Sequence, residues 1–287
     1  MNNKEEWFSE GTVPGKRYGK IEHCFLMEEL ILREQTDYQS ILIFDNSVYG
    51  RILVLDDIVQ FSTSDEFIYH EMITHPVMLS HPDPRRILIV GGGDGGTLRE
   101  CLRHNPENVS QVEIDKRVID VSRKYFPSIS QGGFADSRVT LSHEDGKDFI
   151  KKYENHFDIV IIDCSDPVGP SLPLFEAEFY KDIFKALKAD GMASFQVGSF
   201  LDPALISETF SNLGQIFPSV VKIRLTMPSY HCGEYCFMGA SKDILLENIS
   251  MEHIEKRYKE LNQDGALKYY SPGMHQASQT IPGIYGV

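Results

Sequence analysis

The rhythm of apolar and polar positions changes near residue 85. Before it, "HCFLMEELILREQTDYQSILIFDNSVYGRILVLDDIVQFS" alternates β-branched and polar residues around turn pairs such as Asp45-Asn46 and Asp56-Asp57. Alternation of period two around such turns predicts a small antiparallel unit of hairpins, assigned to residues 1–64. "DEFIYHEMITHPVML" follows, with Phe67, Ile68, Met72 and Ile73 at helical spacing. It reads as a helix stopped by Pro76 and Pro82.

From residue 85 onward strand and helix patterns alternate. "RILIV" leads through a glycine loop to "TLRECLRH", "VSQVEID" to "KRVIDVSRKYF", and "RVTLSHEDG" to "KDFIKKY". "FDIVIID" then leads to a loop and "EAEFYKDIFKALKADG", and "MASFQVG" to "PALISETFSNLGQIF". Such alternation predicts an α/β domain over residues 65–287, a mostly parallel sheet covered by helices on both faces. "SVVKIRLT" and "EYCFMGAS" are expected to close it antiparallel.

In such a sheet, ligands lie over the carboxyl ends of the strands. "GGGDGG" after the first strand satisfies GxGxxG at Gly91, Gly93 and Gly96, in strand–loop–helix context. The motif alone is shared by dinucleotide enzymes and nucleoside-binding transferases. Each of the first four strands carries a carboxylate at or just after its tip: Asp94, Glu113, Asp145 and Asp163. Glu113 is placed to accept from ribose hydroxyls, and Asp145 with Gly146 lies near an adenine edge. Any one of the four alone is as readily a helix cap; four on one rim exceed what capping requires. A pyrophosphate would be repelled by Asp94 inside the loop, whereas a sulfonium nucleoside bearing an amine would be attracted.

Charge points the same way. Among 287 residues the net charge is −14, which argues against nucleic acid and suits small cationic partners. The first ten residues, "MNNKEEWFSE", lack a leader-type apolar core, and no run reaches membrane-spanning length, so no membrane role is expected. Five scattered cysteines fit a reducing cytoplasm. The histidines of "HEMITH" are five apart instead of four and Cys232/Cys236 has no second ligand pair, so no metal is expected.

"DCSDPVGP" puts Asp163 and Asp166 at the exit of the buried run "DIVIID". Together with "LDDIVQFSTSDEFIYHEM", "ILIVGGGDGGTLRE", "VEID" and "LKYYSPGMH", it closely resembles the spermidine synthases, the polyamine aminopropyltransferase family, from Trp7 to about His275. The resemblance implies a small N-terminal β-domain ahead of a Rossmann-like, methyltransferase-type fold, in a homodimer or homotetramer. It also implies transfer of the aminopropyl group of decarboxylated S-adenosylmethionine to putrescine, giving spermidine and 5′-methylthioadenosine, with no cofactor and no metal. By the family's motif Asp163 is the base and Asp166 holds the attacking diamine. Gln39, Gln60, Asp94, Glu113, Asp145, Gly146 and Pro170 would hold the nucleoside substrate. Tyr69, His70, Asp94, Asp163, Asp166, Gln196 and Tyr230 would line the diamine channel, and residues 164–175 would gate it.

The chain departs from the family at Cys164, where serine is common, at "PSYHCG", at "VGS" after Gln196 and at "HQASQTIP" with Gln279. The first three leave cadaverine, agmatine or spermidine as competing acceptors. A putrescine N-methyltransferase is the nearest rival chemistry, although the carboxylate of S-adenosylmethionine would meet the Asp94 and Asp163 rim. A dehydrogenase leaves D-x-x-D without a task, and a non-catalytic polyamine binder leaves the base without one.

Overall fold

The computed structural model describes residues 5–10, 21–167, 169–231 and 233–287; Val168, Cys232 and the side chain of Pro170 lie outside them. Strands β1 (Glu6–Glu10) and β2 (His23–Met27) form an antiparallel ribbon. β3 (Glu29–Gln35), β4 (Ser40–Asn46), β5 (Gly50–Leu55) and β6 (Ile58–Ser62) form an antiparallel meander. Along β4 the alternation sorts side chains to two places. Ile41 and Ile43 pack with Val118 and Val121, whereas Leu42 and Phe44 join the main core.

Helix α1 (Glu66–Ser80) links the meander to a seven-stranded sheet. The helix runs on through Pro76, against the stop expected there. Proline removes the N–H that would bond the Met72 carbonyl, but nearly every residue of α1 is buried, so packing outweighs one lost bond.

The large sheet begins with β7 (Arg86–Gly91), followed by α2 (Gly96–Arg103), β8 (Asn108–Val112), α3 (Lys116–Tyr125) and the short α4 (Pro127–Ser130). Next come β9 (Val139–Ser142), α5 (Gly146–Ile150), β10 (Phe157–Asp163), α6 (Ala177–Ala186) and β11 (Leu187–Ser199). α7 (Pro203–Gly214), β12 (Ser219–Thr226) and β13 (Glu234–Ser241) complete it. Strand order is β12-β13-β11-β10-β7-β8-β9. Only β13 runs against the rest, inserted between β11 and β12. The expectation of an α/β, methyltransferase-type sheet with a small antiparallel N-terminal unit holds. Residues 187–191 are the exception: read as the end of a helix, they open β11, with Leu187 paired to Phe157 and a bulge before Met192.

Alternation along each parallel strand feeds two helical layers. Ile87, Ile89, Ile159 and Ile161 pack toward α1 and α2, whereas Leu88, Val90, Val160 and Ile162 pack toward α6 and α7. Two C-terminal helices, α8 (Met251–Leu261) and α9 (Pro272–Ser278), cover the α1 side. The buried Glu71 carboxylate ties that segment down by accepting from the N–H groups of Lys268, Tyr269 and Tyr270. Among the described residues no helix is long and apolar enough to cross a membrane.

Candidate active site

The chain leaves β7 toward β8 on one side and returns to β10 on the other, so the crevice for a ligand lies above the ends of β7 and β10. The register there is tight. Asp163 pairs with Gly91, and its carbonyl accepts from Gly92 N–H at 2.8 Å. Gly91 adopts φ +86°, and a Cβ on it would lie 2.1 Å from the Asp163 carbonyl oxygen. Glycine is required at this point by contact as well as by conformation.

Every predicted site residue whose side chain is described lines one pocket over this crevice: Gln39, Gln60, Tyr69, His70, Asp94, Glu113, Asp145, Gly146, Asp163, Asp166, Gln196 and Tyr230. Pro170 belongs to a 3₁₀ turn, Gly169–Phe175, but its side chain is outside the described residues. In the expected gate, Ser171 Oγ donates to the Asp166 carbonyl.

Asp163 is buried at the end of β10. Tyr69 Oη donates to one carboxylate oxygen at 2.8 Å and Thr97 Oγ1 to the other at 2.7 Å. Burial, with the Asp94 charge nearby, raises its pKa to about 6, while His70 and the two hydroxyls pull it down. Asp166 accepts from Gln196 at 2.9 Å and from Tyr235 Oη at 3.3 Å. Tyr230 packs edge-on to Tyr235 and donates to the Gln60 carbonyl. Its turn is fixed by buried Asp65, which accepts from both the backbone N–H and the hydroxyl of Ser229.

The glycine-loop carboxylate is not solitary. Asp94 Oδ1 accepts from Gly96 N–H at 2.6 Å and meets His70 Nε2 at 3.0 Å. Burial disfavours its charge, but His70 and that N–H hold it below the ordinary carboxylate range. His70, Asp94 and Asp163 bring three potential ligand atoms within 4.8 Å of one another. His70 Nδ1 also lies 2.6 Å from Glu66. Glu66 and Asp94 thus flank the ring, one carboxylate on each nitrogen.

On the nucleoside side, burial and neighbouring acids raise Glu113 to about 7, although the Asp115 N–H bonds it at 3.0 Å. Asp115 accepts from Thr36 Oγ1 at 2.8 Å and Gln39 Nε2 at 3.1 Å, clamping the meander to the large sheet and aiming Gln39. Asp145 caps α5 through the Lys147 N–H at 2.8 Å while its side chain remains exposed at the pocket rim.

Five of these contributors escaped the sequence reading: Thr97, Tyr235, Asp65, Asp115 and Glu10. Thr97 and Asp115 sit inside quoted motifs, "GGTLRE" and "VEID", and motif membership was the available signal. Tyr235 looked like any strand aromatic. Glu10 is buried, with one oxygen on Val59 N–H at 2.9 Å and the other without a hydrogen-bond partner among the described residues. Burial raises it to about 8, and the Asp166 charge adds to the rise.

Comparison with known proteins is consistent across the whole chain. Residues 66–253 match the model for the spermine/spermidine synthase domain, and residues 7–63 that for the spermidine synthase tetramerisation domain. A polyamine aminopropyltransferase of Moorella thermoacetica is 38% identical over 278 residues, covering 96% of this chain and 93% of that protein. One of Erwinia tasmaniensis is 38% identical over 260 residues, 90% of each. A crystal structure of a spermidine synthase in complex with the transition-state analogue AdoDATO superposes with TM-score 0.90 at 33% identity, covering 99% of this chain and 96% of that one. Spermidine synthase from Thermotoga maritima gives 0.89, also at 33% identity, covering 99% and 94%.

Proposed function

This chain belongs to the spermine/spermidine synthase family of transferases, and we propose that it moves the aminopropyl group of decarboxylated S-adenosylmethionine to putrescine. The observation that carries this reading is the pair Asp163 and Asp166, both buried and both opening on a pocket that also holds Gln39, Glu113 and Asp145. Putrescine arrives as a dication, since alkyl ammonium groups titrate near ~10.4. One nitrogen must lose its proton before it has a lone pair to attack with.

In this reading Asp163 takes that proton, and Tyr69 and Thr97 fix the carboxylate for it. Asp166, with Gln196 and Tyr235, orients the same end of the diamine. The neutral nitrogen attacks the carbon next to the sulfonium, a C–N bond forms, and the C–S pair returns to sulfur as 5′-methylthioadenosine leaves. Positioning and exclusion of water supply the rest. Gln39, Gln60, Glu113, Asp145, Gly146 and Pro170 hold the nucleoside. Asp94 receives the aminopropyl ammonium while its Oδ1 stays paired with His70. The chemistry calls for no metal and no cofactor.

The match of residues 7–63 to a tetramerisation domain supports a homo-oligomer, dimer or tetramer; in this reading it acts in the cytoplasm on small cations. Incubation with decarboxylated S-adenosylmethionine or S-adenosylmethionine, each with putrescine, cadaverine or agmatine, tests the reading by mass spectrometry. Spermidine plus methylthioadenosine is the expected product pair. N-methylputrescine, or a clear preference for another acceptor, overturns it.

A further inference from the structure

Behind the pocket, α1 and α2 carry buried charges that the transfer chemistry does not itself require. His70 is 2% exposed, with Glu66 at 2.6 Å on one nitrogen and Asp94 at 3.0 Å on the other. Glu66 lies outside the pocket lining. Arg99 grips it with two bonds of 3.0 Å and bonds Glu100 through Nε.

The ring rests on the start of α2, where a Cβ at position 96 would fall 2.2 Å from Nδ1. A cation at a helix N-terminus is opposed by the helix dipole and, when buried, by desolvation. An imidazolium persists here only because carboxylates flank it on both sides. Asp94 is one flank, but it is open to the pocket and to any cationic ligand. Glu66 is the flank that no ligand can reach.

We propose that Glu66, anchored by Arg99, is a positioning residue that holds His70 as a doubly donating imidazolium beside Asp94 and Asp163, and so sets how readily Asp163 takes a proton. The proposal rests on the role given above to Asp163. The groups facing His70 are Glu66 and Tyr69 from its own helix, Asp94 from the glycine loop, Asp163 from β10 and Arg99 from α2. Tyr230 and Glu113 face the same carboxylates from the opposite wall.

The direction of the effect follows. Burial works against a charged His70, but Asp94 and Glu66 together raise it to about 10. Its charge is one of the influences that pull Asp163 down toward about 6. Without the Glu66 charge, His70 keeps only Asp94 to hold its proton against burial, its own titration moves down, and Asp163 titrates higher.

The test uses ligand-free protein labelled for histidine ¹⁵N and aspartate ¹³C, titrated from about pH 5 to 9 so as to span both groups. In the wild type, both His70 nitrogens are expected to keep N–H character throughout. In Glu66→Gln the Asp163 midpoint is expected to rise by about one unit, and the acid limb of kcat/KM with it. The donor KM should change less than about threefold, because Glu66 touches no substrate. A neutral His70 in the wild type near pH 7 overturns the proposal, as does an Asp163 midpoint that stays put in the variant. If Arg99, left with Glu100 as its one charged partner, prevents Glu66→Gln from folding, Glu66→Gln with Arg99→Gln removes both charges and the same shift is expected. These signals need no substrate. A chain that shows the shift but makes no spermidine counts against the function reading and leaves this one standing.

Discussion

Asp163 and Glu113, on the strand tips, and Glu66 and Glu100, one helix layer behind, are all buried carboxylates. Burial alone pushes each of them up. On the strand tips the push succeeds, to about 6 for Asp163 and about 7 for Glu113. In the layer behind, it is overcome. Glu66 is held below the ordinary range by His70 and Arg99, and Glu100 by His75, Arg99 and Arg103. The difference lies in who supplies the positive charge. Carboxylates matched to arginine and histidine are finished within the fold, whereas Asp163 and Glu113, left above the ordinary range, open on the pocket, where in the proposed reading they meet the amine and the nucleoside. Asp94 stands on the border, paired with His70 yet opening on the pocket.

The contrast breaks first at Asp163. Asp163→Asn keeps the shape, with one of the two hydroxyls of Tyr69 and Thr97 turned to accept from the new NH2, but takes no proton, so kcat is expected to fall roughly 10²–10⁴-fold. Near-normal turnover would remove the base from the strand tips. Stability should respond in the opposite pattern. Arg99→Met strands two carboxylates and is expected to cost about 3–5 kcal/mol by denaturant titration, whereas Asp163→Asn should cost little or nothing. If both variants melt alike, the division between fold charge and ligand charge is wrong.

A smaller effect is expected at Asp166. Asp166→Asn should raise KM for the diamine ~10–100-fold, the value of one charged hydrogen bond, with a lesser change in kcat. An unchanged KM would place the acceptor elsewhere.

The smallest effect concerns pH. Asp163, Glu113 and Glu10 titrate near 6, 7 and 8 in the folded chain, against about 4 when unfolded. Acids raised on folding contribute stability that is complete below the unfolded value and is lost as pH rises through the folded one. The ligand-free protein should therefore lose Tm steadily between about pH 5 and 8.5 through these groups. Glu113→Gln with Glu10→Gln should flatten the loss, and saturating diamine should recover more at the alkaline end. Equal recovery at both ends would mean that the tips do not await a cation.

Legibility in the sequence followed the same division. Strand tips carry polar residues where an apolar run ends, so Asp163, Glu113 and Asp145 stood out against "DIVIID", "SQVEID" and "VTLSHEDG". The alternation that sorts Ile87 and Leu88 to opposite layers was equally plain. Contacts across elements were not. Nothing in "DEFIYHEM" announces that Glu66 meets Arg99 on the next helix, or in "WFSE" that Glu10 comes to lie near Asp166. Pro76 misled because a local stop signal carries no information about the burial that overrides it. Residues 187–191 misled because a charged "KAD" continued a helical pattern that the sheet claimed for β11.

The contact between Gly96 and the ring of His70 has a historical consequence. Any side chain gained at position 96 would occupy space the imidazole already fills, so the two positions cannot change independently. Gly96→Ala is expected to be damaging in a background that keeps His70 and tolerated in one where residue 70 is already small, a sign reversal that a two-by-two set of variants reads directly. Along a lineage the order of events is thereby constrained. The histidine has to be surrendered before the glycine can be, and a descendant that carries alanine at 96 together with histidine at 70 must have moved helix α1 or α2 first.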